Sequence, residues 1–222
     1  MQRKTQSLQQ GNRTLLVPIT SDRGLCGGIN TGLIREIKSR IKRAPNRGDY
    51  GIFPLGEKGT AALVRPYPDL LKHSISEISF PINYPTVASI SHQVSLVGAN
   101  YDNICVYYNE FKSAIRTIIR ELNLFPRHKF NEYMKFMKLY RQSRPDKYTS
   151  NPALYDLYLA SNMYQAFLNN AASEQSARMT AMENASKNAK EIVVKLNLEY
   201  NKARQARITM ELVEIISGAS AV

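Results

Sequence analysis

The apolar residues in the first half of the chain follow two spacings, one typical of strands and one of helices. Thr14–Thr20 is an apolar, β-branched run that ends at turn-forming residues, and it predicts a strand. Ile29–Arg43 has apolar residues three or four positions apart and predicts a helix. The same patterns predict strands at 50–55 and 75–80, helices at 57–64 and 86–97, and an antiparallel pair at 103–108 and 115–124. This order predicts an α/β domain over residues 13–125 with a mainly parallel sheet.

The second half has a different pattern. After Pro152 there is no proline, and the only glycine is Gly218. Apolar or small residues recur in a 3/4 alternation, in two series that begin at Leu154 and Leu157 and repeat every seven residues. This predicts one long coiled-coil helix over 151–222, roughly 100 Å in length at 1.5 Å per residue. The seam is alanine-rich and broken by polar residues, so it stabilises a helix pair weakly. An ordinary dimerising coiled coil is the alternative interpretation.

Charge divides the chain in a similar way. The 222 residues carry a formal net charge of +12. Residues 151–222 contain seven Lys/Arg and seven Asp/Glu, so the surplus lies in 1–150, and 112–148 alone has ten basic against three acidic residues. Such a surface favours an acidic protein, anionic lipid headgroups or nucleic acid. Residues 1–12 form a polar tail without the apolar run of a secretory signal, and we expect no export signal.

The loop Gly24–Gly28, between a strand and a helix, is where a phosphate-binding loop would lie. The Walker pattern fails because Leu33 follows Gly32, and the dinucleotide pattern fails because Cys26 replaces its second glycine. We therefore interpret these glycines as structural. Cys26 at a helix N-terminus is a weaker alternative as a reactive thiol. Cys26 and Cys105 are the only cysteines and suit neither a disulfide framework nor a metal site, so we predict a reducing compartment and no catalytic, cofactor-binding or metal-binding residues.

The basic connector, residues 126–150, is the one segment that could indicate nucleic-acid binding. It interleaves Lys and Arg with aromatic residues, which suits phosphate contacts and base stacking. However, Phe130, Tyr133, Met137 and Tyr140 fall at helical spacing, which favours the packed face of an amphipathic helix. A basic coiled-coil protein that binds nucleic acid therefore remains the alternative function.

Two blocks of sequence resemble the gamma subunit of ATP synthase. Ser21–Gly28 (SDRGLCGG), with its flanking strand and helix, resembles the signature of that family. Ala172–Val222 resembles the family's C-terminal helix almost throughout. Residues 55–59 and 107–112 match more loosely, and 126–150 does not align. The resemblance implies a Rossmann-like α/β domain that binds no nucleotide, joined to a long shaft helix.

The function implied by this resemblance is that of a non-catalytic rotor, the central stalk that couples rotation of a proton-driven membrane ring to conformational cycling of the catalytic subunits. The implied partners are the catalytic and non-catalytic hexamer subunits, delta- or epsilon-type stalk subunits and the membrane c-ring. The implied location is the matrix side of the mitochondrial inner membrane or, alternatively, the cytoplasmic side of a bacterial plasma membrane.

The resemblance also implies roles for individual residues. Arg204 and Gln205 would hydrogen-bond a loop of a catalytic subunit at one rotary angle. The tip of the shaft in an apolar sleeve of the hexamer would comprise Met210, Val213, Ile215, Ile216 and Ala219. The signature loop, with a structural role, would comprise Asp22, Arg23, Gly24, Cys26, Gly27 and Gly28.

One departure from the family pattern concerns the start of the chain. Family members begin with a long helix that pairs antiparallel with the C-terminal one, whereas here about a dozen polar residues precede the first strand. We therefore expect the partner helix to be missing from this chain, by truncation or because another polypeptide supplies it. The seam would then be exposed, and 151–222 would be frayed in the free chain.

Overall fold

The computed structural model describes residues 13–78, 80–113, 116–136 and 150–220, which belong to two compact units, Met1–Arg178 and Met179–Val222. The elements in chain order are β1 (Thr14–Pro18), α1 (Ile29–Arg43), a 3-10 helix (Arg47–Asp49), β2 (Tyr50–Ile52), α2 (Glu57–Val64), α3 (Tyr84–Gly98), β3 (Asn103–Ser113), β4 (Arg116–Leu124), α4 (Arg127–Phe136) and α5 (Ser150–Ser220).

The sheet of the first unit has the strand order β2-β1-β3-β4. β1 pairs parallel with β2 and β3, while β3 pairs antiparallel with β4. β1 is buried along its whole length because it is central and covered on both faces. This confirms the predicted α/β fold, including the antiparallel pair at its end.

Apolar side chains alternate between the two faces of β1, as the strand geometry requires. Leu15, Val17 and Ile19 pack with α3 and the first part of α5. Leu16 faces the other way and packs with Leu33 and Ile37 of α1, along with α2. Helices therefore cover both faces of the sheet.

The beginning of α5 differs from the expectation that residues 151–222 form one frayed coiled-coil segment. Tyr155, Leu159, Met163 and Phe167 are buried in the same core as β1. The compact first unit consequently ends at Arg178 rather than at residue 150. The reason is that α5 has a second apolar face, which the search for a coiled-coil seam does not detect.

The strand predicted at 75–80 does not form among its described residues. Ile75 makes only an isolated parallel bridge to Leu55. Glu77 has a φ of 59°, in the left-handed region that interrupts a strand. The backbone amides of Glu77 and Ile78 donate to the carboxylate of Asp22 instead of to a neighbouring strand. Side-chain capture of these amides explains why the apolar pattern is misleading.

The basic connector is helical over Arg127–Phe136. Phe130 is buried and its ring lies 5.0 Å from that of Tyr158 and 5.4 Å from that of Tyr155. Phe130 is therefore unavailable for base stacking, whereas Tyr133 is exposed and stacks on Phe125. The predicted packed positions Met137 and Tyr140 lie outside the described residues. Over the described ranges, no helix combines the length and apolarity needed to cross a bilayer.

Candidate functional site

The signature loop follows β1 and is held by the carboxylate of Asp22. One of its oxygens accepts from the amides of Glu57, at 2.8 Å, and Glu77, at 3.1 Å, and the other accepts from the amide of Ile78 at 2.9 Å. Glu57 is the first residue of α2, where a negative charge also interacts favourably with the helix dipole. A single side chain thus joins the signature loop, α2 and the 75–78 segment.

A second network closes the loop from inside. The side-chain amide of Asn30, in the first turn of α1, donates to the Ser21 hydroxyl at 2.6 Å and lies 3.2 Å from the Cys26 sulfur. The Asn30 side-chain oxygen accepts from the Ser21 amide at 3.2 Å. Cys26 is only 3% exposed. The Cys26 thiol is therefore a packed partner in this network, which favours a structural role over a reactive one.

Around the loop, glycine is favoured by the backbone conformation at Gly27 and required by space at Gly56. Gly27 has a φ of 61°, a backbone conformation that side chains disfavour. Gly56, at the end of the 50–55 segment, has a φ of 99°, and a Cβ there would lie 2.3 Å from the carbonyl oxygen of Thr20. Arg23 and Gly24 are exposed on the loop surface and Gly28 precedes α1. The geometry therefore gives the signature glycines at 27 and 28 a place in a tight strand-to-helix turn.

A cleft of about 270 Å³ lies at the carboxyl end of β1, between the signature loop and α5. This is the position where open α/β sheets bind ligands. Here it is lined by the carboxylates of Asp22, Glu77 and Glu174, against the positive charges of Arg23 and of Arg178, which pairs with Glu174 at 2.5 Å. An excess of negative charge disfavours the phosphates of a nucleotide.

A polar cluster lies on the other face of the sheet. Arg40 of α1 pairs with Glu121 of β4 at 2.5 Å and donates to the Tyr107 hydroxyl, which in turn donates to Glu121 at 3.0 Å. Burial raises the pKa of the Cys105 thiol to about 12, despite the nearby Arg40 charge. Cys105 is therefore a neutral thiol at physiological pH and not an activated nucleophile. Among the described residues, no group of His, Cys, Asp and Glu is arranged to hold a metal ion.

Along the part of α5 that packs on the sheet, the coiled-coil seam is partly exposed. Its Tyr164 packs against the core, with its ring 5.6 Å from that of Tyr84, while its leucines are exposed. Leu157 is 55% and Leu168 is 44% exposed, whereas Phe167 is 2% exposed. The seam leucines therefore lie on a different side of the helix from Phe167. This segment can cover the sheet and still offer its seam to another helix.

The second unit is entirely helical over its described residues and exposes its side chains on every side. Arg204 and Gln205 lie outside the seam, and the predicted tip residues Met210, Val213, Ile215 and Ile216 are all exposed. Arg204 and Gln205 make no side-chain hydrogen bond or ion pair within the described chain that would occupy them.

A further feature of this unit is a second apolar stripe on the side opposite the seam. With the seam positions taken as a and d of the heptad, this stripe occupies c and f, and its apolar members are Val194, Leu198, Ile208, Leu212 and Ile215. Asn201 and Gln205 continue the stripe between them, and Ala219 follows it. Sequence reasoning missed this stripe, although counting apolar residues at every heptad position would have found it.

Comparisons with known proteins fit this arrangement. The family model described as ATP synthase matches residues 1–222. The ATP synthase gamma chain of Pelagibacter ubique is 36% identical over 219 residues, which cover 94% of this chain and 73% of that protein. The chain belongs to the ATP synthase gamma-subunit family. The mitochondrial F(1) complex gamma subunit of Dictyostelium discoideum is 37% identical over 221 residues, covering 96% of this chain and 69% of that protein.

Solved structures of family members are also similar. A chain of the mitochondrial ATP synthase central stalk and c-ring of Tetrahymena thermophila superposes with a TM-score of 0.73 and 47% identity, covering 79% of this chain and 77% of that chain. A chain of the Euglena gracilis mitochondrial enzyme has a TM-score of 0.83 at 22% identity, covering 95% and 73%. The second similarity concerns the fold alone. The Rossmann-like sheet and long C-terminal helix described above are therefore the fold of this family.

Proposed function

We propose that this chain is the rotor, or central-stalk, subunit of a proton-translocating ATP synthase. In this function it couples rotation of a membrane ring to conformational cycling of the catalytic subunits. The observation that carries the proposal is the two-faced helix of the second unit. One face has the small, weakly stabilising seam of a helix pair, and the opposite face has an apolar stripe interrupted by Asn201 and Gln205.

The two faces suit two kinds of partner. The seam suits another helix, because its alanines permit close approach. The opposite stripe suits the surrounding hexamer subunits, because an apolar stripe that continues along an exposed helix face is typical of a protein contact. Arg204 and Gln205 would contact a catalytic subunit, and Met210, Val213, Ile215, Ile216 and Ala219 would form the tip of the shaft. The stalk subunits and c-ring are the further partners, consistent with the Tetrahymena central stalk and c-ring structure.

The subunit itself is proposed to be non-catalytic, although it serves ATP synthesis by the whole complex. Asp22 and Cys26 of the signature loop are engaged in hydrogen bonds with neighbouring parts of the same domain, Asp22 with α2 and Cys26 with Asn30 of α1, which supports a structural role for that loop. The proposed location is the mitochondrial inner membrane, on its matrix side. Mitochondrial relatives support this, while bacterial relatives leave the bacterial plasma membrane as the alternative.

The test is assembly and coupling. The chain, supplied with a family-type helix for its seam, should co-purify with the hexamer of catalytic and non-catalytic subunits. It should also restore proton-driven ATP synthesis to membranes that lack their gamma subunit. A chain that folds but neither binds the hexamer nor restores synthesis would contradict the proposal. The nucleic-acid alternative predicts binding to DNA or RNA that is strong at low salt and falls steeply as salt is added. A chain that does not bind a DNA or RNA duplex even at low salt would exclude that alternative.

A further inference from the structure

Three buried polar residues connect the sheet to α5. The side-chain oxygen of Asn170 accepts from the backbone amide of Asn109 at 3.3 Å and from its side-chain amide at 3.1 Å. The hydroxyl of Ser173 donates to the backbone carbonyl of Asn109 at 2.9 Å. All three residues are buried, and Ser173 is 0% exposed.

The position of Asn109 in the sheet explains this arrangement. β1 pairs with β3 only as far as Tyr107, whose carbonyl accepts from the Ile19 amide at 2.8 Å. Asn109 lies two residues further along β3, so its amide and carbonyl point to the same side, where β1 has ended. Unpaired buried backbone groups are costly, and they need another partner. Asn170 and Ser173 supply that partner in place of a strand.

This connection selects one register of α5 on the sheet. The other buried residues on this face of α5 are mainly apolar, including Leu159, Met163 and Phe167. Apolar packing is non-directional, whereas a hydrogen bond requires particular atoms at particular positions. A slip of α5 by one turn, about 5.4 Å, would bring Ala166 or Glu174 to the place of Asn170. The Asn109 backbone would then lose its partners.

We propose that Asn109, Asn170 and Ser173 form a joint that fixes the axial and rotational register of α5 on the sheet and carries torque between them. The torque-carrying role rests on the proposed rotary function, whereas the register-fixing role does not. Asn170 and Ser173 are positioning residues, since they act by holding the helix.

Two pairs of variants isolate the hydrogen bonds. Asn170→Leu removes the acceptor, whereas Asn170→Asp keeps an oxygen acceptor at the same position. Ser173→Val removes the hydroxyl, whereas Ser173→Thr keeps the hydroxyl in a side chain that has the shape and volume of valine. Met163→Ala is the control for lost packing, because it removes apolar contact on the same face without touching a hydrogen bond.

The first measurement uses the full chain with spin labels at the exposed positions 117, on β4, and 165, on α5. Double electron–electron resonance should give one distance in the unsubstituted chain. Asn170→Leu and Ser173→Val should add a second population, displaced by up to about one helical turn. The ratio of displaced to native molecules should rise about tenfold, because a buried backbone group loses its partner in the native register. Asn170→Asp, Ser173→Thr and Met163→Ala should keep the single distance. An unchanged distance in both the Leu and Val variants would overturn the joint.

The second measurement uses the assembled enzyme in vesicles and follows protons pumped per ATP hydrolysed. This ratio should fall in Asn170→Leu and Ser173→Val and be preserved in the Asp and Thr variants. Displaced distances with a normal ratio would overturn the torque-carrying role. If the unsubstituted chain supports no coupled turnover, the rotary function is contradicted. The distance measurement would still test whether Asn109, Asn170 and Ser173 fix the register of α5.

Discussion

At the residue scale, Asp22 has the largest predicted effect in the signature loop. Its carboxylate accepts three backbone amides, from Glu57, Glu77 and Ile78. In Asp22→Ala these amides lose their acceptor, and we expect the free energy of unfolding to fall by about 2–4 kcal/mol, since water replaces part of the loss at this half-buried site. Urea denaturation followed by circular dichroism measures the change.

The matched control is Asp69→Ala. Asp69 is exposed, and we expect its substitution to change stability by no more than about 0.5 kcal/mol. Equal effects at positions 22 and 69 would mean that the Asp22 hydrogen bonds contribute nothing measurable.

Glu121 gives a pH-dependent prediction at the same scale. Although burial opposes it, hydrogen bonds from Arg40 and Tyr107 lower the pKa of the Glu121 carboxyl in the folded chain. Its stabilising contribution is therefore complete above the unfolded pKa of about 4.3 and is lost as the pH falls through the lower folded value. Glu121→Gln should be less stable than the unsubstituted chain at pH 7, and the difference should shrink below pH ~4. Urea titrations at several pH values test this, and a pH-independent difference would contradict it.

The role of Asp22 shows what sequence reasoning can reach for a single residue. The SDRGLCGG block is recognisable as a signature, and its glycines indicate a turn. However, the amides that Asp22 binds lie 35, 55 and 56 residues further along the chain. Local patterns carry no information about such partners. The Asn109–Asn170 connection was unpredictable for the same reason, since 61 residues separate the two side chains.

At the scale of elements, prediction succeeds where local periodicity determines the structure. α1 and α2 have the predicted bounds, because their apolar residues face one core. The strand predicted at 75–80 is wrong, because the left-handed backbone of Glu77 and the hydrogen bonds to the Asp22 carboxylate override the apolar composition of that segment. The start of α5 has two apolar faces, and a heptad search finds only one of them. Its packing on the sheet depends on tertiary contacts that the heptad pattern does not contain.

Adjacent residues of α5 provide a test of these two faces. Phe167 is buried against the sheet, whereas Leu168 belongs to the exposed seam. Phe167→Glu buries an unpaired charge, so it should destabilise the free chain strongly, by several kcal/mol. Leu168→Glu should leave the stability of the free chain within about 0.5 kcal/mol, yet it should weaken binding of a family-type helix added in trans. Urea denaturation and a fluorescence titration with the labelled helix measure the two effects.

The result that matters is the contrast between the two variants. If Leu168→Glu unfolds the chain as readily as Phe167→Glu, the seam is part of the folded core. If the Leu168→Glu variant binds the added helix with the same affinity as the unsubstituted chain, the helix does not occupy the seam.

At the scale of the whole molecule, the two units carry different parts of the proposed function. The first unit buries its apolar residues in two cores around a sheet. The second exposes apolar residues on both the seam and the opposite stripe. Because an isolated helix depends mainly on burial of an apolar face, the second unit needs partners for stability. In the proposed function, a paired helix would cover the seam and the surrounding ring of subunits would cover the opposite stripe.

Arg204 and Gln205 provide the prediction that joins this surface to function. Both lie outside the seam, and Gln205 continues the opposite stripe that is proposed to face the hexamer. Substituting both by Ala should leave the fold and the seam intact, because neither side chain is buried. Losing a charge-assisted hydrogen bond costs about 1.5–3 kcal/mol, so coupled ATP synthesis by the assembled enzyme should fall roughly tenfold or more.

Lys202→Ala, which removes a neighbouring positive charge at heptad position g, is the matched control and should retain normal synthesis. Normal turnover in the double variant would show that Arg204 and Gln205 are not contacts of the catalytic subunit, whereas an equal loss in Lys202→Ala would indicate a general effect of charge on this segment.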